Sequence, residues 1–273
     1  MSILTVTGIQ TNLFWEDREA NLRQFEAKIN SIQEKTQLVV LPEMFSTGFS
    51  MEAGKLAETM QGPTLNWMKR IAAAKKIILA GSLIIAEAGN YYNRLVWMMP
   101  NGQFGYYDKR HLFAYGGEDR PYTRGQKRLI GSVNGWKVNC LVCYDLRFPV
   151  WCRQAPARPG EDRRSPDLEY DLMIVVANWP HKRQQAWRAL LIARAMENQC
   201  YVLGINRIGQ DGHQLEYRGD SLLIDPLGNI LQDCGDKETV FTASLDKLSL
   251  IAVREKFPFW KDADDFHIEA NRP

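Results

Sequence analysis

Residues 137–149 read KVNCLVCYDLRFP, an apolar run that stops at a cysteine and breaks into a charged, aromatic turn. Val138, Cys140, Leu141 and Val142 suit a short buried strand, and Asp145 with Pro149 predicts that the chain leaves it sharply. A thiol at that corner, Cys143, is presented outward, whereas a mid-strand cysteine is ordinary core filling. Cys140 and Cys143 also spell C-x-x-C, but residues at that spacing lie on opposite faces of a strand. No second such pair and no close histidine pair completes a zinc set. Cys143 is therefore the candidate nucleophile.

Other apolar runs end in the same way. QLVVLPEMFSTGF, residues 37–49, breaks at Pro42 and leaves Glu43 at the carboxyl end of a strand, where ligands bind in α/β sheets. Upstream, Ile3 to Gln10 alternates as a strand, and Leu22, Phe25, Ile29 and Ile32 recur at helical spacing. A second helix from Pro63 to Lys75, with Leu65, Met68 and Ala72 inward, leads into the strand IILAGSLIIA. The hairpin NRLVWMMPNGQFGYYDKR follows, turning at Pro100-Asn101-Gly102. Beyond Cys143, the strand DLMIVVA ends in Asn178-Trp179-Pro180, and a helix carries Trp187, Leu190, Leu191 and Ala195 on one side. The strand CYVLGIN and the hairpin-like SLLIDPLGNILQ come next.

The two halves share one order. VVLPEMF matches VVANWPH, each following helix and strand matches, and RLVWMMPNGQ matches SLLIDPLGNI. A repeat of half the chain is too long for a solenoid. It predicts an α/β fold, a four-layer α-β-β-α sandwich with an internal pseudo-two-fold repeat, over a single domain, 1–273. A doubly wound sheet is the alternative that the alternation of strands and helices also permits. Residues 153–169, RQAPARPGEDRRSPDLE, are proline-rich and charged and predict an exposed insertion loop. The aromatic tail, 256–273, is expected to pack on the body or on a partner subunit.

The chain of 273 residues carries 34 Lys and Arg against 32 Asp and Glu, a net +2 with the charges interspersed, which argues against nucleic-acid or membrane-surface binding. No apolar run approaches the roughly 18 residues of a membrane span, and MSILTVTGIQ enters a strand pattern without a basic leader. The five cysteines form no framework spacing. A cytoplasmic protein with reduced thiols is the expectation.

A catalytic thiol needs a base or a cation beside it, since only a small fraction is thiolate at neutral pH. The four histidines sit in no cysteine-protease context. The polar residues stranded at the ends of apolar runs are instead Glu43 and, in YYDKRHLF, Lys109. Either alone reads as a solvated surface charge. Together with Cys143 they suggest a carboxylate, an ammonium and a thiol converging on one pocket.

LPEMFSTGF, DKRHLF and CYDLRFP, in that order, resemble the three signatures of the carbon-nitrogen hydrolase (nitrilase) superfamily, and the likeness extends through VANWP and RARAMENQCYV. Within it, the chain looks most like the bacterial omega-amidases, which hydrolyse 2-oxoglutaramate to 2-oxoglutarate and ammonia. The resemblance implies Glu43 as general base and acid, Lys109 as electrostatic stabiliser, Cys143 as nucleophile and Glu118 as a supporting glutamate, with no metal or organic cofactor. The Tyr144 backbone N–H is the expected second oxyanion donor. Phe113 and Trp179 are candidate pocket walls. Arg147, and after it Lys182 or Arg183, is the candidate for a substrate carboxylate, although Asp145 and Arg147 also read as a turn cap and a local salt bridge. The family's habit implies a homodimer acting on a small-molecule amide. The same three residues would serve a nitrile, a carbamoyl amine or another amide, and a non-catalytic binding or redox-sensing protein on this fold is the alternative from another class.

Overall fold

The computed structural model describes residues 3–154, 168–264, 266 and 268. Its first half holds β1 (Ile3–Gln10), α1 (Arg18–Asn30), β2 (Leu38–Val40), α2 (Ala53–Leu56), α3 (Pro63–Lys75), β3 (Ile78–Glu87), β4 (Asn90–Met98) and β5 (Phe104–Asp108). The second holds β6 (Ile130–Val133), β7 (Trp136–Val142), α4 (Pro149–Cys152), β8 (Leu172–Val176), α5 (Gln184–Asn198) and β9 (Tyr201–Ile205). β10 (Ile208–Gln210), β11 (Glu216–Arg218), β12 (Leu222–Ile224), β13 (Ile230–Asp233), β14 (Thr239–Asp246) and α6 (Lys247–Lys256) complete it.

Two six-stranded sheets form, in the orders β14-β1-β2-β3-β4-β5 and β6-β7-β8-β9-β12-β13. In each, the first pair is antiparallel, the next two pairings are parallel and the last two are antiparallel. The repeat predicted from the sequence is this topology, and the doubly wound alternative falls, since the strands divide between two sheets. The β10–β11 hairpin, inserted between β9 and β12, has no counterpart in the first half among the described residues.

Alternation builds the layers. Val6, Leu38 and Ile78 sit side by side across three strands and belong to the large core between the sheets, together with Val138, Cys140, Ile174 and Leu203 from the second sheet. Val39, Leu79 and Ile9 point the other way, into a core shared with Phe25 and Ile29 of α1 and Leu65, Met68 and Ile71 of α3. On the far side, Trp187, Leu191 and Ala195 of α5 cover the second sheet. Trp187 is fully buried, so truncating it to alanine would cost about 3–5 kcal/mol.

Local signals set the helix ends. Asp17 caps α1 through its side chain on the Ala20 N–H at 3.0 Å. Pro63 opens α3, and Lys76, in the left-handed region at φ 55°, closes it. Ile32, expected on α1, lies past its end and packs on the same core from the following turn. Residues 155–167, most of the predicted insertion, lie outside the described residues, as do Asp265, His267 and 269–273 of the tail. The start of that tail is tied down: Gln199 Nε2 donates to the Phe257 carbonyl at 2.7 Å. Among the described residues no helix is long and apolar enough to cross a membrane.

Candidate active site

Strand ends supply the site. Glu43 follows β2, Lys109 follows β5, Cys143 follows β7 and Asn178 follows β8, so the two halves contribute to one place at the edge of the sandwich. β7 ends at Val142, and Cys143 opens a tight turn with φ 46°, a left-handed conformation that costs a non-glycine residue about 1–2 kcal/mol.

Asp145 holds that turn. It is fully buried, and its Oδ2 accepts from the Val142 N–H at 3.1 Å and the Tyr107 hydroxyl at 2.8 Å. Its Oδ1 accepts from the His111 N–H at 3.0 Å and meets His111 Nδ1 at 2.8 Å. The turn-cap reading of Asp145 therefore holds, but its hydrogen-bonding partner among the basic side chains is His111 and not Arg147. Arg147 lies instead over the Trp179 ring, 4.8 Å from its centroid.

Glu43, Lys109 and Glu118 are wholly buried. Lys109 Nζ donates to Glu43 Oε1 at 2.9 Å and to Glu118 Oε1 and Oε2 at 2.9 and 2.8 Å. Asn93, from the middle of β4, donates through Nδ2 to Glu43 Oε1 at 2.8 Å and to Glu118 Oε1 at 3.0 Å. Glu43 Oε2 accepts from the Asn178 N–H at 2.8 Å, and Asn178 Nδ2 donates to the Glu43 carbonyl at 2.6 Å. Glu118 Oε2 takes the Phe113 N–H at 2.6 Å, which fixes the loop carrying that ring.

Burial opposes charge on Lys109, but the carboxylates of Glu118 and Glu43 outweigh it and hold the ammonium above the ordinary lysine range. For Glu118, burial and the charge of Glu43 prevail over Lys109 and raise its proton affinity. Burial first, and then the adjacent Glu43 carboxylate, push the Cys143 thiol well above its usual value. The thiol is thus held toward its protonated form, with the Glu43 carboxylate close enough to raise it. Cys140 and Cys200 are buried thiols too, each raised chiefly by burial, and neither lines the cavity described next.

That cavity, of about 180 Å³, has Cys143 and Lys109 in its lining, with Phe113, Tyr144 and Trp179 as aromatic walls. Arg147 and Arg183 both reach it, the latter 5.1 Å over the Phe113 ring. Among the described residues neither guanidinium has a carboxylate partner. Lys182 is exposed and does not line the cavity. The rim on the other side is the β10–β11 hairpin, through Asp211, His213 and Tyr217. Arg207 anchors this hairpin: fully buried, it donates to the carbonyls of Ile208, Leu13 and Gln210 and to Asn12 Oδ1.

The structure thus brings Glu43, Lys109, Glu118 and Cys143 together and lines their cavity with Tyr144, Arg147, Phe113 and Trp179. Asn93, Asn178, Arg207 and the β10–β11 rim were not legible as site residues. Only Asn178 carried a signal, the polar residue ending an apolar run as Glu43 does.

Residues 5–255 match the family model described as carbon-nitrogen hydrolase. A protein of Escherichia coli named omega-amidase YafV is 42% identical over 266 residues, covering 97% of this chain and 98% of that protein. A 2-oxoglutaramate amidase of Bacillus subtilis is 30% identical over 261 residues, covering 94% of this chain and 96% of its own length. Among solved structures, a CN-hydrolase superfamily protein of Xanthomonas campestris, with an arsenic adduct in its active site, superimposes with a TM-score of 0.93 at 41% identity, covering 98% of this chain and 100% of that one.

Proposed function

Because this chain belongs to the carbon-nitrogen hydrolase family and is a hydrolase of carbon–nitrogen bonds, we propose that it is a thiol amidase acting on the terminal amide of a small 2-oxo acid monoamide such as 2-oxoglutaramate. The observation that carries this reading is the cavity itself, lined by a thiol, by an ammonium that is held by the Glu43 carboxylate, and by two guanidiniums that have no carboxylate partner among the described residues. Arg147 and Arg183 suit the free carboxylate of such a substrate. Relatives named omega-amidase and 2-oxoglutaramate amidase support the same substrate class.

Glu43 takes the thiol proton as Cys143 Sγ attacks the amide carbon, forming the C–S bond and an oxyanion. Lys109 and the Tyr144 backbone N–H stabilise that oxyanion. The three Lys109 contacts go to two carboxylates, so sharing one N–H between the Glu118 oxygens leaves another for the oxyanion. Glu43 returns the proton to nitrogen, the C–N bond breaks and ammonia leaves. Glu43 then draws a proton from water, the hydroxide attacks the thioester carbon, the C–S bond breaks, and Glu43 returns the proton to sulfur as the acid leaves. Glu118 holds Lys109 in place throughout. The same reading has the protein working in the cytoplasm as a homodimer, which fractionation and sedimentation test.

The direct experiment is ammonia release from 2-oxoglutaramate by the native protein and by Cys143→Ala. Release that vanishes in the variant is the expected outcome. No release from either would shift the substrate to another amide or a nitrile. Arg147→Ala and Arg183→Ala should each raise KM about 10- to 100-fold, the worth of a hydrogen bond to a charged group. An unchanged KM in both would remove the carboxylate role.

A further inference from the structure

Asn93 takes no part in the chemistry described above, yet it touches both buried carboxylates. Its Nδ2 and the Lys109 Nζ occupy opposite corners of a ring of four atoms whose other corners are Glu43 Oε1 and Glu118 Oε1. The four edges are 2.8, 2.9, 2.9 and 3.0 Å. One nitrogen is charged and the other is neutral. The Asn93 carbonyl also accepts the Lys109 backbone N–H at 3.0 Å, so β4 fixes both nitrogens.

The orientation of the amide carries a cost. Oδ1 of Asn93 is buried and has no hydrogen-bond partner among the described residues. Turning the amide over would aim that oxygen at two carboxylates, so the donors must face them. A second lysine in this place would supply donors as well, but it would cancel the excess negative charge of the cluster. A leucine would leave the two carboxylates to repel one another across Lys109 alone. A neutral double donor meets both demands: it holds the carboxylates together and leaves Glu43 a strong enough acceptor for the thiol proton.

We infer that Asn93 is a positioning residue that locks Glu43 to Glu118 and keeps the Glu43 carboxylate aligned on Cys143, an inference resting on the base role proposed above for Glu43. Its contacts leave Oε2 of Glu43, held among the described residues by the Asn178 N–H, as the oxygen free to work on the thiol. The titratable groups facing the ring are Glu43, Glu118, Lys109 and Cys143, and the phenols of Tyr122 and Tyr217 interact electrostatically with its carboxylates.

The test compares native protein with Asn93→Ala and the near-isosteric Asn93→Asp, each checked for folding by circular dichroism. Two readouts are taken against pH: the rate of Cys143 alkylation by iodoacetamide, which needs no substrate, and kcat and KM for whichever amide the native protein hydrolyses. Losing both donors should lower kcat about 10- to 100-fold with KM within about twofold. The acid limb of both profiles should move up by about one pH unit in Asn93→Ala, and further in Asn93→Asp, where a third carboxylate joins the cluster. A limb present in the native protein and unmoved in both variants overturns the inference, whatever happens to the rate. A native protein without any acid limb sinks the base role of Glu43, and this inference with it.

Discussion

Replacing Asp145 by asparagine removes one charge and one acceptor from the turn that presents Cys143, and the hydrogen bonds dictate where the damage falls. The Tyr107 hydroxyl already accepts from the Arg110 N–H at 3.1 Å and from Trp151 Nε1 at 2.9 Å, so its own proton must go to residue 145. The Val142 N–H, on the same oxygen, has nowhere else to turn. The asparagine therefore keeps its carbonyl on that side and points its NH2 at His111. The imidazole can adapt by leaving Nδ1 unprotonated as an acceptor, but the His111 backbone N–H cannot, and it is orphaned. One unpaired backbone donor with the lost charge costs about 1–3 kcal/mol of stability. The strain falls two residues after Lys109 rather than on Cys143 itself. A shift of about 1 Å in Lys109 would lower kcat about 100-fold. Urea unfolding with steady-state kinetics reads both quantities. A variant within about 0.5 kcal/mol and twofold of the native protein would refute the view that Asp145 ties the lysine loop to the nucleophile turn.

Three further outcomes are expected. Lys109→Met leaves Glu43 and Glu118 buried without a counter-charge, and should cost about 3–5 kcal/mol in denaturant unfolding and lower kcat at least about 100-fold; a stable, active variant would contradict the buried cluster. Between the two inactive variants Cys143→Gly and Cys143→Ala, the glycine should be the more stable by about 1 kcal/mol, because φ is 46° there; the reverse order would mean that the turn stores no strain. Arg207→Ala strands three carbonyls and Asn12 Oδ1, so the β10–β11 rim should loosen and KM should rise more than kcat falls; a kcat defect alone would place that arginine's influence elsewhere.

Glu43, Lys109 and Cys143 could be picked out of the sequence because each ends an apolar run, a place where a charged or reactive side chain is out of keeping with its neighbours. Asn93 gave no such sign: a polar residue in the alternating stretch NRLVW is what any half-buried strand shows, and its importance lies in two carboxylates brought from elsewhere in the chain. The partners of Asp145 were hidden for the same reason, since Tyr107 and His111 lie well upstream and meet it only in the folded chain. The repeat told the sheets apart because matching halves demand matching layers. It also hid the β10–β11 hairpin, where RIGQDGHQLEYRG has no counterpart in the first half and reads as a polar loop. β14 was missed although TVFTASLD has a workable alternation. Nothing local says that it belongs beside β1.

That pairing bears on how the protein is made. Strand β1 meets β14 along its whole length, from Ile3 opposite Asp246 to Gln10 opposite Thr239. A ribosome adding about 5–20 residues per second needs on the order of 10 to 50 s to travel between those partners. For that interval the outer edge of β1 stands bare on the nascent chain, offering unpaired amides to any passing strand. Until β14 arrives, the first sheet lacks its covering edge strand, so the nascent chain is most prone to pair with another strand during that interval.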